Sequence, residues 1–190
     1  MRPESTPSVK FTYEDFLHFP DDGKRHEIIE GEHYATPSPN TKHQTVSSNL
    51  HGMLWTYLRQ RPVGRIFAAP FDVVLSDLDV VEPDLLYVSR ERFHVLTGQH
   101  VRGVPDLVVE ILSPGTRKTD EVTKRKLYDR SGVQEYWIVD PELDVIKVYR
   151  RANDVLMRVS ELSAERSDLL TSPLLPDLSL PLREVFAPPL

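Results

Sequence analysis

The chain has no cysteine. Disulfide staples and cysteine-held zinc are excluded, and the composition suits a reducing cytoplasm. No apolar run approaches the roughly 18–20 residues of a membrane span. The opening MRPESTPSVKF has no apolar signal core, so neither membrane insertion nor secretion is expected. Positive charge is also scarce: 23 Lys and Arg stand against 29 Asp and Glu, a net charge of −6. Such a chain is not a bulk electrostatic binder of nucleic acid, and any contact of that kind has to use a local basic patch. What is present, 39% apolar residues in 190, is enough for the core of one domain.

The pattern predicts a loose tail over residues 1–10 and one domain over 11–190, with its core at about 65–150. Thr12 followed by Asp15 marks the start of a short helix over 12–17. His26–Ile29, the turn Glu30–Gly31 and Glu32–Ala35 read as a hairpin. A long helix is expected over 41–61, where Val46, Leu50, Met53, Leu54, Tyr57 and Leu58 recur at three- and four-residue steps. Strands are expected at 65–69, 71–75, 85–88, 107–112, 135–139, 145–150 and 156–162. A helix is expected over 120–131, closed by Gly132. The strand–helix–strand order of 107–139 implies an α/β core. In the last forty residues Leu alternates with Ser, Asp and Pro, and beyond 156–162 they give no pattern that assigns an element.

Residues 104–114, VPDLVVEILSP, pose the central question, because Glu110 interrupts a run that looks like a buried strand. An isolated ionised carboxylate in an apolar interior shifts its pKa, finds a partner or holds a metal. Asp84 opens the strand DLLYV 26 positions earlier, and neighbouring strands could bring the two acids together. Paired carboxylates repel unless they share a proton or a cation, and a hard divalent cation suits one or two of them. On the following helix Asp120, Thr123, Lys124, Leu127, Tyr128 and Ser131 share one side. Leu127 and Tyr128 are expected against the sheet, which turns Lys124 toward the core, and Asp120 stands four residues before Lys124 in the order favourable for an ion pair. Each piece also has an ordinary structural reading: a core acid paired with a base, or a lysine whose stem lies on apolar surface.

EPDLLYVS at 82–89 and GVPDLVVEILSPGTRKTDEVTKRKLYDRSGVQEYWIVDP at 103–141 closely resemble the Uma-two family of endonucleases, of the restriction-endonuclease-like PD-(D/E)xK superfamily. HEIIEGE at 26–32, PSPNTKHQ at 37–44 and AAPFDVVLS at 68–76 are similar to its N-terminal half. The resemblance implies a central mixed sheet flanked by helices and a metal-dependent endonuclease that cleaves phosphodiester bonds in DNA with Mg²⁺ or Mn²⁺, in a homodimer. By position, Asp84 and Glu110 would be the metal-holding acids. Leu112 stands where the superfamily usually has its lysine, and Lys124 from the next helix would supply that role. Glu27, Glu30 and His43 would be supporting groups around the metal, with ordinary hairpin solvation and capping as their alternatives. Arg117, Lys118 and Lys126, with Arg125 and Arg130 nearby, would contact phosphates, against the simpler reading of a solvated helix face. Glu110 is expected to face a wet cleft at the edge of the sheet. The competing function is a catalytically inactive module of the same fold that binds nucleic acid or a protein partner.

Overall fold

The computed structural model describes residues 9–188. The expected tail therefore falls mostly outside the described residues. Lys10 is inside them and packs against Gly31, whose φ of 77° turns the first hairpin.

Helix α1 (Tyr13–Phe16) is a single turn capped as the sequence predicts: the Thr12 hydroxyl accepts from the Asp15 amide, and Asp15 accepts from the Thr12 amide. Strands β1 (Arg25–Ile29) and β2 (Glu32–Thr36) follow, joined at Glu30–Gly31 with positive φ at both positions. Helix α2 (Thr41–Gln60) starts where the Asn40 side chain accepts from the His43 amide at 2.9 Å. Next come β3 (Gly64–Ala68), β4 (Val73–Ser76), β5 (Asp79–Val81), β6 (Leu85–Ser89), β7 (Val101–Arg102) and β8 (Leu107–Ile111). A π-wound turn (Thr119–Lys124) runs into helix α3 (Arg125–Ser131), which ends at Gly132 with φ 90°. Strands β9 (Glu135–Asp140), β10 (Val145–Ala152), β11 (Val155–Ser163), β12 (Leu169–Ser172) and β13 (Leu175–Pro181) precede the short α4 (Leu182–Val185).

The strands form a six-stranded sheet in the order β11-β10-β9-β8-β6-β3, a five-stranded sheet in the order β2-β1-β5-β4-β7, and the pair β12-β13. In the larger sheet only β8 and β9 are parallel, because α3 carries the chain back between them. The fold is mixed α/β, as expected. Strand β8 lies inside the larger sheet between β9 and β6 and is buried on both faces, as its continuous apolar run leads one to expect, so the cleft that Glu110 faces lies over the sheet and not at its edge.

Alternation along β8 sorts its side chains. Leu107, Val109 and Ile111 pack with Val46, Leu50 and Leu54 of α2 on one face of the sheet. Val108 and Leu112 pack with Leu127 and Tyr128 of α3 and Ile29 of β1 on the other. Glu110 has the parity of Val108 and so points toward α3 and the smaller sheet.

Five elements carry no usable signal in the sequence. Strands β5 and β7 are only three and two residues long, too short for periodicity to register. The Leu–Ser–Asp–Pro alternation of the C-terminus is the β12-β13 hairpin with α4. It buries Leu170, Leu175, Leu178, Leu182 and Val185 on the α2 side of the sheet. Buried Glu135 ties this hairpin down, with its carboxylate accepting from Ser172 Oγ at 2.6 Å and from Trp137 Nε1 at 2.8 Å.

Candidate active site

The β6–β8 register pairs Leu85 with Val109, and its continuation sets Asp84 opposite Glu110. Both project from the larger sheet into a cavity of about 260 Å³. Arg25 and Glu27 of β1 close the cavity from the smaller sheet, and Asp120 and Lys124 from the π-wound turn. Buried His43 enters from the first turn of α2, while Ser38 and Asn40 line the mouth. The site is therefore a seam between two sheets and a crossover, and each of these elements contributes charge.

Lys124 is the hub. Its ammonium stands 2.8 Å from Glu27 Oε1, 3.1 Å from Glu110 Oε1 and 3.7 Å from Asp120 Oδ1. Burial opposes its charge, but Glu110, Glu27 and Asp120 outweigh that and hold its pKa well above the usual lysine value. Glu110 also accepts from the buried Tyr128 hydroxyl at 2.6 Å. Burial drives the Glu110 pKa well up, Lys124 opposes the rise, and the charges of Asp120, Asp84 and Glu27 add to it. Burial likewise raises Asp120 to about 6 against the pull of Lys124, and Glu82, behind the cavity, to about 7 against Arg25.

Asp84 is the opposite case. Burial works against its charge, yet the carboxyl is held down at about 2. Its oxygens accept from Arg25 at 2.7 Å, His43 Nε2 at 3.2 Å and the Ile111 amide at 2.8 Å. The Ile111 contact is a side chain gripping the neighbouring strand one residue past Glu110, so it fixes the spacing of the two acids. One carboxylate of the pair is thus kept charged and the other is pushed toward protonation, a separation typical of sites that handle protons or cations.

Of the sequence-predicted residues, Asp84, Glu110, Lys124, Glu27 and His43 converge on this cavity. Glu30 does not: it sits in the exposed hairpin turn and pairs with Arg130 at 3.1 Å. The alternation of β1 explains this, since Glu27 points inward while Glu30 lies past the strand's end. Arg117 is bound by Asp140 at 2.6 and 3.1 Å and by Glu142 at 3.2 Å, which occupies its guanidinium in holding a turn. Lys118 and Lys126 are exposed, and Lys126 borders a separate hollow with Asp129 and Arg130. Arg25, Asp120, Tyr128 and Glu82 are the site residues that sequence reasoning does not assign. A signal exists for two of them, because Asp120, Lys124 and Tyr128 form a four-residue ladder on one helix face. For Arg25 and Glu82 only the pairing of β1 with β5 brings them near.

The sequence pattern of a family described as "Uma2: Putative restriction endonuclease" matches residues 13–183. The chain belongs to the Uma2 family. Among solved structures, a protein from Anabaena variabilis described as "a putative nuclease belonging to DUF820" is similar. It shares 22% identity with a TM-score of 0.78, covering 93% of this chain and 98% of its own. At that identity the likeness speaks for the shared fold. No curated protein matches the chain. Within the Uma2 fold, the seam between sheets and crossover is where the buried Asp84, Glu110, Asp120 and Lys124 share one cavity. No helix among the described residues is long and apolar enough to cross a membrane.

Proposed function

We propose that this Uma2 chain is a metal-dependent endonuclease that hydrolyses phosphodiester bonds in DNA through a PD-(D/E)xK-type site. The observation that carries the reading is the convergence of Asp84 and Glu110 from adjoining strands with Lys124 from the crossover, in one cavity. Membership of a family described as restriction endonucleases supports the same reaction class.

The donor set fits a hard divalent cation. The acidic groups nearby all offer carboxylate oxygens, and acids outnumber the bases Arg25 and Lys124 in the cavity wall. Burial and mutual repulsion already push Glu110 and Asp120 toward protonation, a strain that a cation relieves. Among the described residues no group of three or more His, Asp or Glu forms a ready-made cage. Mg²⁺ and Mn²⁺ need no such cage, because one or two carboxylates, completed by water and phosphate oxygens, hold them. Asp84 and Glu110 would hold the ion. When bound it would polarise the scissile phosphate and acidify a water.

The chain's own residues do the positioning. Arg25, His43 and the Ile111 amide hold Asp84 charged and aimed into the cavity. Lys124 offers an ammonium to the negative charge that develops on the phosphate and orients the attacking water. Glu27 and Asp120 hold Lys124 in place, and Tyr128 fixes the Glu110 rotamer. A homodimer would bring two such sites to a duplex and cut both strands.

The test is cleavage of plasmid and single-stranded DNA with Mg²⁺ or Mn²⁺, alongside EDTA and purified, folded Glu110→Ala. Metal-dependent cutting that vanishes in the variant is the expected result. Cutting that survives in the variant would remove Glu110 from the site. No cutting by the wild type would shift the reading to a binding module of the same fold.

A further inference from the structure

From His33 to Phe71 the chain carries no Asp or Glu but four Lys and Arg: Lys42, Arg59, Arg61 and Arg65. That segment is +4 in a chain of −6, which leaves −10 for the rest (−6 minus +4). It begins at the mouth of the active cavity, where Ser38, Asn40 and His43 lie, and continues through α2 into β3, one of the two edge strands of the larger sheet.

Gln44, Ser48, His51, Trp55 and Arg59 recur along α2 at three- and four-residue steps and so form one face. This face is turned to solvent: His51 is half-buried and the other four are exposed. Trp55 is 52% exposed, whereas the other tryptophan, Trp137, is completely buried. Arg59 lays its guanidinium over the indole, 5.4 Å from the ring centroid. Trp55, Arg59, Pro62, Arg65 and Phe67 line a cavity of about 330 Å³ whose wall contains no carboxylate. Arg61 reaches Asp177 at 3.8 Å, but Arg59 and Arg65 are in no ion pair among the described residues. Asp177 and Glu184 border the adjoining flank of α2, in a hollow that Ser48 also lines, and would confine an anionic ligand to the Trp55 side.

An exposed indole flanked by unpaired guanidinium groups is the arrangement that binds a nucleic-acid strand, by base stacking and phosphate contact. From His43 to Trp55 is twelve residues, about 18 Å along the helix axis. We propose that the α2 face from Gln44 to Arg59, with Arg65, is a docking track for single-stranded DNA that leads into the active cavity, one unpaired base stacking on Trp55. The inference rests on the nuclease reading and deepens it, because it specifies a substrate with an unpaired flank.

The test is fluorescence titration in EDTA, where no cutting occurs, with a single-stranded oligonucleotide of about twelve residues and a blunt duplex of the same sequence. Trp55 is the tryptophan open to solvent, so a stacked base should quench the red edge of the emission. Trp55→Ala should weaken single-strand binding about tenfold or more. Arg59→Ala with Arg65→Ala should flatten the salt dependence, by about 1.4 in log–log slope for two lost phosphate contacts. Duplex binding should change much less. Unchanged single-strand affinity in both variants, or binding without quenching, would overturn the track. So would a Trp55→Ala effect confined to the oligomeric state measured by sedimentation. Parallel cleavage separates the two readings. Wild-type cutting with unaltered variant binding sinks the track and leaves the nuclease. Quenched, Trp55-dependent binding without cutting removes the hydrolysis and leaves the track.

Discussion

The Lys124 ammonium and Glu110 Oε1 meet at 3.1 Å, from residues fourteen positions apart on a crossover turn and an interior strand. Both side chains are nearly free of solvent. The pair is not closed on itself, because Glu27 and Asp120 also face the lysine. Three carboxylates around one ammonium leave negative charge over, and that excess governs how the site responds to mutation, protons and metal.

Lys124→Met should destabilise the protein strongly. The methionine fills a similar volume but strands buried carboxylates, a loss on the order of 3–5 kcal/mol. Urea denaturation at pH 8 and pH 5 measures it. The loss should be smaller at pH 5, where Glu110 and Asp120 take up protons. A variant as stable as the wild type at pH 8 would mean that the lysine does not neutralise the cluster.

Asp120→Asn should stabilise the metal-free protein at neutral pH. Folding raises the Asp120 pKa from 3.8 to about 6. Between those values the native state binds more protons than the unfolded state, so this group's contribution falls as pH rises from 4 to 6. At about 1.4 kcal/mol for each tenfold change in proton affinity, the cost above pH 6 is roughly 3 kcal/mol. The asparagine variant should match the wild type near pH 4 and exceed it above pH 6 in EDTA. Thermal melts across that range decide it, and a gap independent of pH would refute the assignment.

Mg²⁺ or Mn²⁺ should raise the melting temperature of the wild type. At a hundred times Kd the gain is about 2.7 kcal/mol. For a chain of this size each kcal/mol is worth roughly 2–4 °C. Glu110→Ala and Asp84→Ala should lose most of the shift. An equal shift in all three proteins would put the ion elsewhere.

Tyr128→Phe removes the hydroxyl that donates to Glu110 at 2.6 Å in a fully buried position. The unfilled acceptor should cost about 1–3 kcal/mol. Cleavage should fall through kcat more than KM, because Glu110 loses the contact that fixes it. Unaltered kinetics in a destabilised variant would make Tyr128 a packing residue only.

Much of the site is legible in the sequence alone. Glu110 stands out because a carboxylate in a run of Val, Leu and Ile needs a reason, and Lys124 because helical periodicity turns it inward beside Leu127 and Tyr128. Asp84 follows from its place at the head of a strand. The basic residues are harder, because sequence gives a side chain's charge but not its partner. Arg117 ahead of the crossover helix and Arg130 on it look equally free in the sequence, yet Asp140 and Asp79 take them up. In HEIIEGE the sequence already puts Glu27 in a strand and Glu30 in the turn, but only the tertiary structure shows that Glu27 reaches Lys124.

The sequence by itself determined the elements with strong local signals: the Thr12 cap, the Glu30–Gly31 turn, α2, the β8–α3–β9 crossover, and the chemical types that reach the core. These follow from periodicity and turn chemistry, which act over a few residues. Tertiary structure alone decided the folding of the C-terminal leucines onto α2, and the meeting of Arg25 and Glu27 with Asp84, Glu110 and Lys124. Those outcomes depend on strand order and register, set by the burial of whole faces against one another, and no local window of the chain contains that information.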